Sequence, residues 1–133
     1  MTVEFDHLFV CSSVGAPEAD ILVDAGFCEG QPNIHPGQGT SCRRFFFHNA
    51  YLEFLWVHDA AEARSDLVRP TKLWERWSYC QTGSCPFGIG LRPGLHSTDS
   101  KKLPLATWAY GMVVVAGLTS AARQFFGGGR SAE

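Results

Sequence analysis

His7 stands in an alternating stretch with Phe5 and Phe9, and Glu53 stands in a second one with Tyr51, Leu55 and Val57. An imidazole among phenylalanines is ordinarily a core histidine satisfied by hydrogen bonds. A carboxylate on the apolar face of a strand is a different matter, because burying it is costly unless it is paired or bound to a cation. Offered from two strands onto one concave face, His7 and Glu53 make half of a site for a divalent metal ion. Mixed imidazole and carboxylate ligation suits Zn, Mn, Fe or Ni and does not choose among them. The remaining ligands are expected from a second copy of the unit, from water or from substrate.

Other residues could complete such a site. His35 opens the loop His35-Pro-Gly-Gln-Gly-Thr40, a cleft edge where an imidazole and backbone amides meet a substrate anion or carbonyl, or else an ordinary turn. Glu53 and His35 are therefore the catalytic candidates. Arg43 and Arg44 are neighbours on a strand and point to opposite faces, so at most one enters the cleft. An arginine there would grip a carboxylate or enediolate oxygen through two parallel hydrogen bonds. Phe5, Phe9, Phe45, Phe47 and Tyr51 are the aromatic candidates for holding a planar or apolar ligand. Trp74 and Trp77 read as packing residues, and His48, His58 and His96 as surface ones. The pair Gly88 and Gly90 lacks the surrounding pattern of a dinucleotide loop.

The elements that must position these residues follow from periodicity. Residues 3–11 alternate as a strand, placing Val3, Phe5, His7, Phe9 and Cys11 on one face. Ser12-Ser13 and Pro17 start a helix whose buried stripe is Ala19, Ile21, Leu22, Val23 and Ala25, and Gly26 ends it. A weak strand spans 27–34, and two strong ones, 42–48 and 51–58, join through Asn49-Ala50. The order β-α-β-β-β has no helix placed for a doubly wound sheet, so the fold class is α+β. Beyond Asp59 the pattern changes to a helical turn at 60–64, a short helix at 72–79, a brief strand at 87–91, a loop at 94–104, a strand at 110–116 and a helix at 119–126. The expected division is a βαβββ module over 1–59 and a dissimilar C-terminal extension over 60–133 within one domain.

Composition narrows the function. The 133 residues are 45% hydrophobic and 18% charged with a net charge of −2, a globular balance with no basic footprint for nucleic acid. No apolar run reaches the roughly 18 residues of a membrane helix, and the acidic start Met1-Thr-Val-Glu-Phe-Asp does not read as a secretory signal. Five cysteines at irregular spacings fit reduced thiols of a cytoplasmic protein better than a disulfide or zinc framework.

Asp6-His7, the helix end Gly26-Phe27 and Tyr51-Leu-Glu53 resemble the vicinal oxygen chelate superfamily of glyoxalases and extradiol dioxygenases. The loop 35–40 followed by Arg43-Arg-Phe-Phe-Phe47 is similar to its glyoxalase-like branch, over about residues 3–58. The likeness continues more loosely through Arg69-Pro-Thr71, Leu73-Trp-Glu-Arg-Trp77 and Pro86-Phe-Gly88. The resemblance implies paired βαβββ modules curled round a cleft, with His7 and Glu53 as metal ligands. It also implies a small-molecule-binding protein, acting as a metal-dependent lyase, isomerase or dioxygenase on vicinal oxygens, or as a sequestering protein without metal. Because only one module is recognisable, a two-fold homodimer is expected to supply the other.

Overall fold

The computed structural model describes residues 3–94 and the backbone of 108–110 and 113–117. The helix expected at 119–126 lies outside these residues, as does most of the loop expected at 94–104. The chain is mixed α+β. Strand β1 (Val3–Cys11) leads through a 3-10 turn (Pro17–Ala19) into helix α1 (Asp20–Asp24), then to β2 (Asn33–His35), β3 (Thr40–Phe46) and β4 (Tyr51–Val57). Short helices α2 (Ala60–Ala63), α3 (Leu73–Trp77) and α4 (Tyr79–Thr82) follow, and then β5 (Phe87–Pro93), β6 (Trp108–Tyr110) and β7 (Val113–Gly117).

The described strands form one mixed sheet in the order β2-β3-β4-β1-β5-β7-β6. β1 runs parallel to β4, with His7 opposite Tyr51 and Phe9 opposite Glu53. β5 lies antiparallel along the other side of β1. The residues after Asp59 thus extend the sheet, and the β1 edge of the first four strands is already paired within the chain.

Helical segments cover both faces. On one, Ala16, Ala19 and Phe45 are buried, with Leu22, Leu52, Phe54 and Trp56 packed around them. The expected stripe on α1 is narrower than its sequence suggests: Ile21 and Val23 are exposed, and so is Ala25. Successive helical residues turn about 100° apart, so of Ile21, Leu22 and Val23 only Leu22 faces the sheet. On the opposite face Phe9, Cys11, Cys42 and Leu55 pack against Val68 and Leu73, with Trp77 beside them. Trp77 also donates its indole N–H to the Ser12 carbonyl at 2.8 Å, which ties α3 to the end of β1.

Two local features set the site. The pairing of β1 with β5 skips Asp6, with Phe5 opposite Leu91 and His7 opposite Gly90. This bulge breaks the simple alternation: Asp6 and His7 turn inward together, and Phe5 goes to the face opposite His7. Phe5 is exposed there, which corrects its expected place in the cleft. Gly39, at φ +72°, carries the backbone past α2 so closely that a Cβ would lie 2.3 Å from the Asp59 carbonyl. Its own carbonyl accepts from the amides of His58 and Asp59, tying the 35–40 loop to the end of β4.

Candidate metal centre

His7, Glu53, Cys42 and His35 come from four neighbouring strands and share one face of the sheet. Register explains the convergence. His35 is opposite Thr40, Cys42 is two residues along β3, and Arg44 is opposite Glu53. Residues two apart on a strand point the same way, so Thr40, Cys42, Arg44 and Glu53 form one row that His7 extends. All four ligand-bearing side chains are buried.

Glu53 is the hub. His7 Nε2 lies 3.6 Å from Oε2, and His35 Nε2 lies 3.5 Å from Oε1. Both separations exceed a good N–H···O hydrogen bond. They match the roughly 3.4 Å that an imidazole nitrogen and a carboxylate oxygen keep when each binds one tetrahedral cation at about 2.0–2.2 Å. Each ring is held from behind. Asp6 accepts from His7 Nδ1 at 2.8 Å and is itself braced by Arg92 at 3.2 Å. Thr40 Oγ1 sits 2.9 Å from His35 Nδ1 and accepts from Gln38 Nε2 at 2.8 Å. Fixing Nδ1 in this way presents Nε2, the arrangement typical of ligating histidines.

Burial sets the protonation states. The His35 pKa is lowered, first by desolvation, although Glu53 opposes this, so the ring is held neutral. Desolvation raises the Cys42 pKa, with the Glu53 charge and a hydrogen bond to Glu53 adding to it. The Tyr51 phenol is raised for the same leading reason. Its ring stacks on His7, with centroids 4.6 Å apart and planes 12° from parallel. Gly90 permits the His7 position from the other side, since a Cβ there would lie 2.1 Å from the imidazole Cε1.

The sequence-derived candidates divide. His7, His35, Glu53, Tyr51 and Arg44 share the site face. Arg44 donates to the Gln31 carbonyl at 3.0 Å and lies over the Phe46 ring. Arg43 does not join them. Its guanidinium donates to Glu29 at 2.6 Å, to Asp20 at 2.7 Å and to the Ala16 carbonyl at 2.9 Å. Phe45 is fully buried under the Ala16 and Ala19 backbone turn on the opposite face. Arg43 and Phe45 therefore lie away from Glu53: of the two arginines, expected on opposite faces, Arg44 is the one on the site face and Arg43 stays out of the cleft, and the expected place of Phe45 in the cleft is corrected. The residue that sequence reading missed is Cys42. Its signal was the strand alternation that also placed Arg44, two positions on.

His35, Cys42 and Glu53 each offer a ligand atom within 4.8 Å of the others, so this group could hold a metal ion. Three donors therefore lie within one chain, where the sequence pointed to a second copy, water or substrate for those beyond His7 and Glu53. No family model matches the chain, and neither the curated proteins nor the solved structures contain a match to it. Among the described residues no helix is long and apolar enough to cross a membrane.

Proposed function

We propose that this chain is a glyoxalase-like small-molecule-binding protein that holds a divalent cation at Glu53, between the imidazoles of His7 and His35. In this reading it acts as a lyase or isomerase on a ligand with two neighbouring oxygens. The observation that carries the proposal is the pair of nitrogen–oxygen separations, 3.5 and 3.6 Å, on the two oxygens of one buried carboxylate. A carboxylate 4% exposed is retained against a penalty of several kcal/mol, on the order of that for a buried ion, when it has a charged partner to bind.

A bound cation of the Zn, Mn, Fe or Ni type would act as a Lewis acid toward the ligand oxygens. The protein supplies the rest. Asp6 and Thr40 orient the two rings, and burial keeps His35 without a proton that a cation would have to displace. Arg44, at the half-buried end of the row, offers a guanidinium to a carboxylate or enediolate oxygen. Tyr51, kept protonated by burial, remains a hydrogen-bond donor beside it. Five free thiols support a reducing, cytoplasmic setting. A two-fold pairing of chains belongs to the same proposal, supported by exposed Phe27, Ile34 and Phe47, and light scattering reads it directly.

Metal analysis of protein purified without chelator or affinity tag tests the centre. Near-stoichiometric metal is expected in the wild type, with loss in Glu53→Gln and in His7→Ala. Unchanged metal content in both variants would remove the proposed centre. A metal-free protein that retains an organic molecule would instead favour a sequestering role.

A further inference from the structure

Of the donors gathered on this face, one is soft. Cys42 is fully buried, on the strand between those of His35 and Glu53, and its ligand atom lies within 4.8 Å of theirs. The three come from β2, β3 and β4, consecutive antiparallel strands whose register fixes their spacing. His7 stands outside this set, facing the other oxygen of the carboxylate at 3.6 Å. We infer that the cation lies on the Oε1 side of Glu53, ligated by His35 Nε2, Cys42 as thiolate and Glu53, while His7 faces Oε2 from outside the set. This rests on the reading above that a cation binds at Glu53, and it puts Cys42 in place of His7 among the ligands.

The chemistry follows from the donor types. One imidazole, one thiolate and one carboxylate are three protein ligands, the number that leaves a fourth position for water or substrate on a tetrahedral ion. A thiolate selects borderline and soft ions, so zinc and cobalt are favoured over manganese and magnesium. Binding converts the Cys42 thiol to a thiolate, and the proton released goes to solvent buffer. All three ligands belong to one chain, so the centre forms without residues from a second copy.

Cobalt(II) titration of the reduced protein tests the assignment, in a background with Cys28, Cys80 and Cys85 replaced by serine to remove the other accessible or half-buried thiols. The expected result is one equivalent bound with a strong sulfur-to-cobalt charge-transfer absorption. Cys42→Ser should abolish that absorption and weaken cobalt binding by at least the ~10–100-fold that loss of even an outer-shell partner costs. X-ray absorption of the zinc-loaded background protein provides a readout independent of the folding of that variant, with one sulfur neighbour expected. Stoichiometric cobalt without the absorption, or a zinc shell without sulfur, overturns the thiolate assignment and leaves the cation at Glu53 standing. No cobalt or zinc binding at all overturns both.

Discussion

The two faces of β3 and β4 are made of alternate residues of the same strands, yet they solve opposite problems. On one face Phe45 and its neighbours bury apolar surface beneath the turn at Ala16 and Ala19, and the polar residues beside them, Ser41 and Arg43, are paired with His58 and with Glu29 and Asp20. On the other, Cys42 and Leu55 pack against Val68 and Leu73, and Thr40 and Glu53 are buried beside them, Thr40 paired with His35 and Gln38. The first face contributes stability through area removed from water. The second buries apolar area as well, accepts the cost of desolvated polar groups, and gathers donors that could hold a metal ion. The contrast between neighbours Arg43 and Arg44 is the same lesson in miniature: one is consumed by Glu29 and Asp20, the other lies beside Tyr51.

Substitution on the packed face should have the largest effect. Phe45→Ala removes a fully buried ring and is expected to cost about 3–5 kcal/mol, read as a lowered urea midpoint. A loss below about 1 kcal/mol would break the claim that this face carries the packing. On the polar face the expected effect is a pH dependence. His35 has a folded-state pKa below its ordinary 6.5, so between those two values the unfolded chain binds more protons than the folded one. Chelator-treated protein should therefore lose stability as pH falls through about 6.5, with the slope flattening once the folded-state pKa is passed. His35→Gln should remove that component of the slope, and an identical slope in the variant would contradict the burial argument. The smallest effect is expected at Arg43, whose carboxylate partners are partly exposed. Arg43→Ala should cost roughly 0.2–1 kcal/mol and leave cation binding unaltered. A tenfold change in cation affinity would place Arg43 functionally on the wrong face.

Much of the first half of the chain was legible because its patterns are local. Strand alternation located β1, β3 and β4 to within a few residues, and Pro and Gly marked the 35–40 turn. Trp56, three positions from Glu53 on β4, packs on the opposite face as alternation requires. The errors have different origins. Phe5 was placed beside His7 by strict alternation, and the bulge at Asp6 reversed it. Phe45 was read as a cleft residue because composition cannot distinguish a ligand-facing ring from a packing one. Cys42 was passed over because alternation gives its face and not its neighbours, and His35 and Glu53 are brought to it by pairing between strands.

By itself the sequence determined that a histidine and a carboxylate would stand in two apolar strands, since periodicity and the cost of a desolvated charge are both local properties. Tertiary structure alone decided which groups surround that carboxylate. Strand register and one skipped residue set the direction of every side chain across a sheet, and both depend on contacts between segments far apart in the chain.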